Sequence, residues 1–141
     1  MDDVAGAEAL ERAVASVGDR WTLLLIDALL DGGKRFSELD EAVPGLAPNI
    51  LSRRLRHLEH EGLVVSTPYS RRPLRVRYDL TASGTELAGA LALLTGWGAR
   101  RNGVPAPRHH GACGTAVEAR WWCPTCDRVV ADDDANELRY A

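Results

Sequence analysis

The stretch Ala47-Pro48-Asn49-Ile50-Leu51-Ser52-Arg53-Arg54-Leu55-Arg56-His57-Leu58-Glu59-His60-Glu61-Gly62 decides how this chain is read. Pro48 suits a first helical position, where its missing N–H costs nothing, and Gly62 suits the residue just past the last turn. At 3.6 residues per turn, Leu51, Leu55 and Leu58 stack on one face. Asn49, Ser52, Arg53, Arg56 and His60 gather on the opposite face. That face carries donors suited to phosphate oxygens and purine edges, and only two acids flank it, both late. Taken alone, an ordinary amphipathic surface helix would explain the pattern as well. The neighbouring segments decide between the two.

Upstream, residues 7–17 read as a helix with Leu10, Val14 and Val17 at i, i+4 and i+7. Gly18-Asp19 ends it, and Asp19 is a good N-cap for a helix over residues 20–30. The wide apolar face of that helix (Trp21, Leu24, Leu25, Ala28, Leu29) places it at the core. Asp31-Gly32-Gly33 is a stop, and Ser37-Glu38-Leu39-Asp40 has the form of a capping box opening a short helix with Leu39 and Val43 inward. Pro44-Gly45-Leu46-Ala47 then turns tightly into the basic helix. Short helix, tight turn and basic amphipathic helix make a helix-turn-helix, the second helix being the major-groove reader.

Downstream the period changes to two. Leu63, Val64 and Val65 predict a short strand, and Leu74, Val76, Tyr78 and Leu80 alternate with Arg75, Arg77 and Asp79. The proline-bounded tip between them, residues 68–73, carries Arg71 and Arg72. Four arginines between positions 71 and 77 with no acid among them favour a DNA-contacting wing over a merely solvated hairpin. Thr81 can cap a long last helix to about Trp97. Its stripe of Leu87, Leu91, Leu94 and Trp97 finds little chain left to cover it, so a second copy is expected to do so.

The charge distribution agrees. The chain of 141 residues has a formal net charge of -3, but residues 34–77 carry nine bases against five acids. A basic middle between acidic flanks is an electrostatic footprint for a polyanion. An apolar fraction of 45% suffices for a packed core. No apolar run approaches the ~18 residues of a membrane span, and Met1-Asp2-Asp3 lacks the features of a signal peptide, so a cytoplasmic protein is expected.

Four segments now stand in order: Val17-Gly18-Asp19-Arg20-Trp21-Thr22-Leu23-Leu24-Leu25; Arg35-Phe36-Ser37-Glu38-Leu39; Leu51-Ser52-Arg53-Arg54-Leu55 with Leu58-Glu59 and Gly62-Leu63-Val64; and Arg75-Val76-Arg77-Tyr78-Asp79-Leu80-Thr81. Together they resemble the HxlR-type winged-helix transcriptional regulators, relatives of the MarR group, over roughly residues 7–100. The resemblance implies a bacterial homodimeric repressor or activator, dimerised through its terminal helices, on a pseudo-palindromic operator. Ala47 departs from the small polar cap common before the family's reading helix. The chain also runs some 40 residues past the usual end.

That extension opens with the linker Asn102-Gly103-Val104-Pro105-Ala106-Pro107-Arg108. His110-Gly-Ala-Cys113 follows, and nine residues intervene before Cys123-Pro-Thr-Cys126. Two turns that each present a pair of soft or imidazole ligands can complete a tetrahedron, a His-Cys₃ zinc site, with His109 as an alternative to His110. Residues 117–122 and 129–130 would supply the strands. The rival reading is thiol-redox sensing by Cys113, Cys123 and Cys126, and the bland one is three inert thiols.

The expected protein is mainly α with a small β-hairpin wing, plus a zinc-ribbon-like β module. Residues 1–101 would form the winged helix-turn-helix and dimerisation domain, 102–108 a linker and 109–141 the ribbon. The function expected is sequence-specific binding of double-stranded DNA as a homodimer, through Pro48, Asn49, Ser52, Arg53, Arg56, Arg71, Arg72 and Arg75. One structural Zn²⁺ per chain would be held by His110, Cys113, Cys123 and Cys126. Two other classes are a redox-sensing regulator and a ribbon that docks a protein partner. An enzyme is not expected, since Cys-Pro-Thr-Cys lacks the βαβ context of a thioredoxin fold.

Overall fold

The computed structural model describes residues 2–105 and 108–130, the first four by their backbone alone. Ala106 and Pro107 of the expected linker, and residues 131–141 of the expected ribbon, lie outside the described residues. The order is α1 (Asp2–Val17), α2 (Arg20–Leu30), β1 (Lys34–Arg35), α3 (Phe36–Ala42), α4 (Pro48–His60), β2 (Val64–Arg71), β3 (Leu74–Leu80), α5 (Ala82–Glu86), α6 (Ala88–Asn102), β4 (Trp121–Cys123) and β5 (Arg128–Val130). Residues 12–92 form one compact unit; the chain before Arg12 and from Leu93 onward forms a second. Among the described residues no helix is long and apolar enough to cross a membrane.

The core lies in the first unit. Leu25, Ile26 and Leu29 of α2 meet Leu51, Leu55 and Leu58 of α4, joined by Leu39 and Val43 around α3. The face of α2 that is buried is Thr22, Leu25, Ile26 and Leu29. Leu24, expected inside, is exposed, and Trp21 is only partly covered, with the Arg20 guanidinium 4.5 Å from its ring. The capping at the start of α2 is as expected. Asp19 accepts from the backbone N–H of Trp21 at 3.0 Å and of Thr22 at 3.2 Å.

α3 begins one residue before Ser37, which therefore does not cap it. Arg35 stands at the N-cap position, and its N–H donates to Glu38 Oε2 at 2.6 Å. This reach-back holds the chain extended at Lys34–Arg35 long enough to pair with β3, Lys34 opposite Tyr78 and Arg35 opposite Arg77. The result is an antiparallel sheet in the order β1-β3-β2. α4 keeps its expected bounds. At its end Gly62 takes a φ of +70°, Leu63 N–H donates to Leu58 O at 2.9 Å and Gly62 N–H to Glu59 O at 3.1 Å. These two bonds are a Schellman closure, which requires the left-handed conformation that glycine adopts freely.

The expected single last helix is two. Thr81 caps α5 through a bond from Gly84 N–H at 3.1 Å, and α6 restarts after Leu87 and runs to Asn102, five residues past Trp97. α1 likewise reaches back to Asp2. We expect Asp19→Ala to lower the unfolding free energy by ~1–2 kcal/mol, the usual cost of a lost N-cap. Asp19→Asn, which keeps a capping oxygen, should lose less. Urea denaturation followed by circular dichroism compares the two; equal stability of D19A and the natural chain would contradict it.

Candidate nucleic-acid interface

α4 starts without a side-chain cap. Ala47 supplies only its carbonyl, which accepts from Ile50 and Leu51 N–H at 2.9 Å each, and Pro48 occupies the first turn. Pro48, Asn49, Arg53, Arg56 and His60 are exposed and Ser52 is half-buried. The other two basic residues of the helix are engaged within the fold. Arg54 Nε lies 3.2 Å from Asp19 Oδ1. His57 Nε2 is 2.7 Å from Ser16 O, so that nitrogen must be the protonated one, since a carbonyl can only accept. The helix thus divides its bases between holding the fold and facing solvent.

The strands of the wing extend further than expected. β2 continues through Pro68, with a bulge between Pro68 and Ser70 that leaves Tyr69 without a cross-strand partner. Arg71 pairs with Leu74, so the turn itself is only Arg72-Pro73, and Ser70 Oγ donates across it to Pro73 O at 2.9 Å. Arg71, Arg72 and Arg75 are all exposed. Arg77 is not a free cation, because its Nε sits 3.4 Å from Asp79 Oδ1. The bulged Tyr69 stacks under the Arg35 guanidinium, 4.8 Å from the ring centre. This prop for the wing could not be read from periodicity, because its partner lies in a two-residue strand.

The leucine stripe of the last helices divides. Leu91 is 7% exposed and Leu87 is packed against the same core, so both are taken up by their own chain. Leu94 and Trp97 are 51% and 55% exposed, as are Leu10 and Leu93 to similar degrees.

In the tail, Cys113, Cys123 and Cys126 are free thiols. His110 Nδ1 stands 3.3 Å from Cys113 Sγ. Hydrogen bonds from the Thr115 hydroxyl and N–H, and from His110, hold the Cys113 thiol below its ordinary range. The backbone N–H groups of Cys126 and Thr125 do the same for Cys123. His110 and Cys113 thus stand side by side, and Cys123 and Cys126 flank the turn between β4 and β5. The two pairs do not meet: among the described residues no three His, Cys, Asp or Glu side chains are gathered to hold a metal. β4 begins only at Trp121, so residues 117–120 lie outside any strand.

A winged helix-turn-helix whose second helix is basic is the class this geometry defines. Residues 16–104 match the HxlR-like helix-turn-helix family, and the chain belongs to it. An uncharacterized HTH-type transcriptional regulator of Mycobacterium tuberculosis is 37% identical over 127 residues, covering 87% of this chain and 80% of the relative. Residues 1–104 are less than three quarters of the 141, so that match reaches into the Cys/His tail. The crystal structure of the HTH-type transcriptional regulator YtcD is 32% identical with a TM-score of 0.63, covering 67% of this chain and 96% of that one. The redox regulator HypR in its reduced form is 30% identical, also with a TM-score of 0.63, over 67% and 93% of the two chains.

The division of the stripe can be tested by stability. Leu91→Ala should cost ~2–5 kcal/mol in urea unfolding, the range for a buried leucine. Similar stability of L91A and the natural chain would place Leu91 outside the core.

Proposed function

We propose that this chain is a transcriptional regulator that binds double-stranded DNA as a homodimer on a pseudo-palindromic operator. The observation that carries the reading is the solvent face of α4, where Asn49, Arg53 and Arg56 stand free while Arg54 and His57 are engaged within the fold. Ser52 and Pro48 complete the surface at the start of the helix. Arg53 and Arg56 suit bidentate contact with guanine edges, and Asn49 suits adenine. Arg71, Arg72 and Arg75 on the wing suit phosphates, which position a protein without reading sequence. A bound dimer would act sterically, blocking or recruiting polymerase. The regulators named among its relatives support the class.

Dimerisation is proposed through the exposed apolar side chains Leu10, Leu93, Leu94 and Trp97. A second copy would bring two reading helices to successive major grooves, ~34–36 Å apart. The likeness to HypR favours a thiol response as a second reading. Residues 1–112 hold no cysteine, so any such response in this chain must come from the tail.

An operator selected from random duplex DNA provides the test. Arg53→Ala should weaken that operator by ~1–3 kcal/mol, about 5- to 150-fold, with little effect on unrelated duplexes. Arg71→Ala or Arg72→Ala should weaken all sequences alike and lower the slope of log affinity against log salt by about one. Natural affinity and slope in an Arg71/Arg72 double variant would take the wing out of the interface. Sedimentation should find a dimer at micromolar concentration, with Trp97→Ala shifting it toward monomer. A monomer both free and on its operator would overturn the assembly.

A further inference from the structure

We propose that His110, Cys113, Cys123 and Cys126 form one tetrahedral zinc site, and that the ion draws two pre-shaped turns of the tail onto each other. The proposal is independent of the DNA reading. The first turn is closed by Cys113 and Gly114 N–H, which donate to His110 O at 3.3 and 2.8 Å, and by His110 N–H donating to Thr115 O at 2.8 Å. Gly114 supplies a φ of +69°, and His109 pairs with Ala116 across the turn. The second turn joins β4 to β5, with Cys123 opposite Arg128 and Asp127 in the left-handed region at a φ of 51°.

The two turns treat their first cysteine alike. Cys113-Gly114-Thr115 and Cys123-Pro124-Thr125 both place a threonine two residues after the first sulfur of the pair. Three thiolates and an imidazole are the ligand set zinc takes in structural sites. His110, and not His109, has its ring at Cys113 Sγ.

The described part of the tail is held by backbone pairing and not by packing. Among residues 108–130 none is buried, and only Cys123 and Val130 are even half-covered. Residues 118–120 link the turns outside any strand. Where the described residues build no apolar core, an ion would supply folding energy, and its binding releases the thiol protons.

The full-length, reduced protein titrated with Co²⁺ and then Zn²⁺ tests this. Cobalt should give tetrahedral d–d bands and a sulfur-to-cobalt charge-transfer band saturating at one ion per chain, with zinc displacing it. Zinc should also slow amide exchange across residues 108–130. Cys113→Ser, Cys123→Ser, Cys126→Ser and His110→Ala should each weaken binding by at least about a hundredfold, the upper end of what outer-shell changes cost. His109→Ala should not. Circular dichroism of each variant checks that the helical unit is intact. An octahedral spectrum, binding that survives both H110A and C113S, or loss in H109A instead of H110A would overturn the site. So would a Cys123–Cys126 disulfide forming under mild oxidant in a chain that takes up no zinc when reduced.

Discussion

One carboxylate oxygen, Asp19 Oδ1, sits where the start of α2 meets the basic helix α4. It accepts from Trp21 N–H, from Thr22 N–H and, at 3.4 Å, from the Thr22 hydroxyl, and Arg54 Nε lies 3.2 Å away. Thr22 is fully buried, where a hydroxyl without a partner is costly. The same oxygen therefore ends the unsatisfied start of α2, satisfies a buried polar group and tethers α4. With successive side chains rotated by roughly 100° around a helix, fixing Arg54 inward turns Arg53 and Arg56 away from the body. The exposed face of α4 follows from that ion pair as well as from the leucines beneath the helix.

A chain with net charge -3 can still present a surface to a polyanion because fields are local. At physiological salt, charges more than ~8–10 Å away are largely screened. What a phosphate meets is the arginines nearest to it. The fold sharpens this separation by neutralising Arg77 with Asp79 and engaging Arg54 with Asp19, while Arg71, Arg72 and Arg75 keep their exposure. Arg54 carries the same charge as its neighbours in sequence but serves a different purpose in space.

Much of this was legible in the residues. Strong periodicity and clear punctuation marked α4, β3 and the cap of α2, and the arginines of α4 and the wing stand at the positions their patterns predict. What could not be read has physical causes. β1 is two residues long, too short to show any period, and exists because Glu38 reaches back to Arg35 N–H. The division of the last helix falls at Leu87, a good helix former whose backbone is still helical, so no breaker announces it. Gly84 faces the Leu63 carbonyl so closely that a Cβ would collide with it, a tertiary constraint without a local signature. The stripe from Leu87 to Trp97 has one period but two environments: Leu87 and Leu91 pack on the core of residues 12–92, while Leu94 and Trp97 are exposed.

The roots of the wing are clamped. Thr81 N–H donates to Leu63 O at 3.0 Å, and the Thr81 hydroxyl donates to Gly62 O at 2.7 Å, so both ends of the ribbon are fastened where the reading helix finishes. β1 braces the near part, but its pairing reaches only Arg77, and the outer ribbon has no third strand. Mechanically this is a cantilever, stiff at the base and compliant at the free end, where deflection under load is greatest. Such a beam transmits little torque back to its anchor. On the DNA-binding reading proposed above, the arginines at its end would follow a backbone whose groove widens or narrows with sequence, while the helix at its base stays in register.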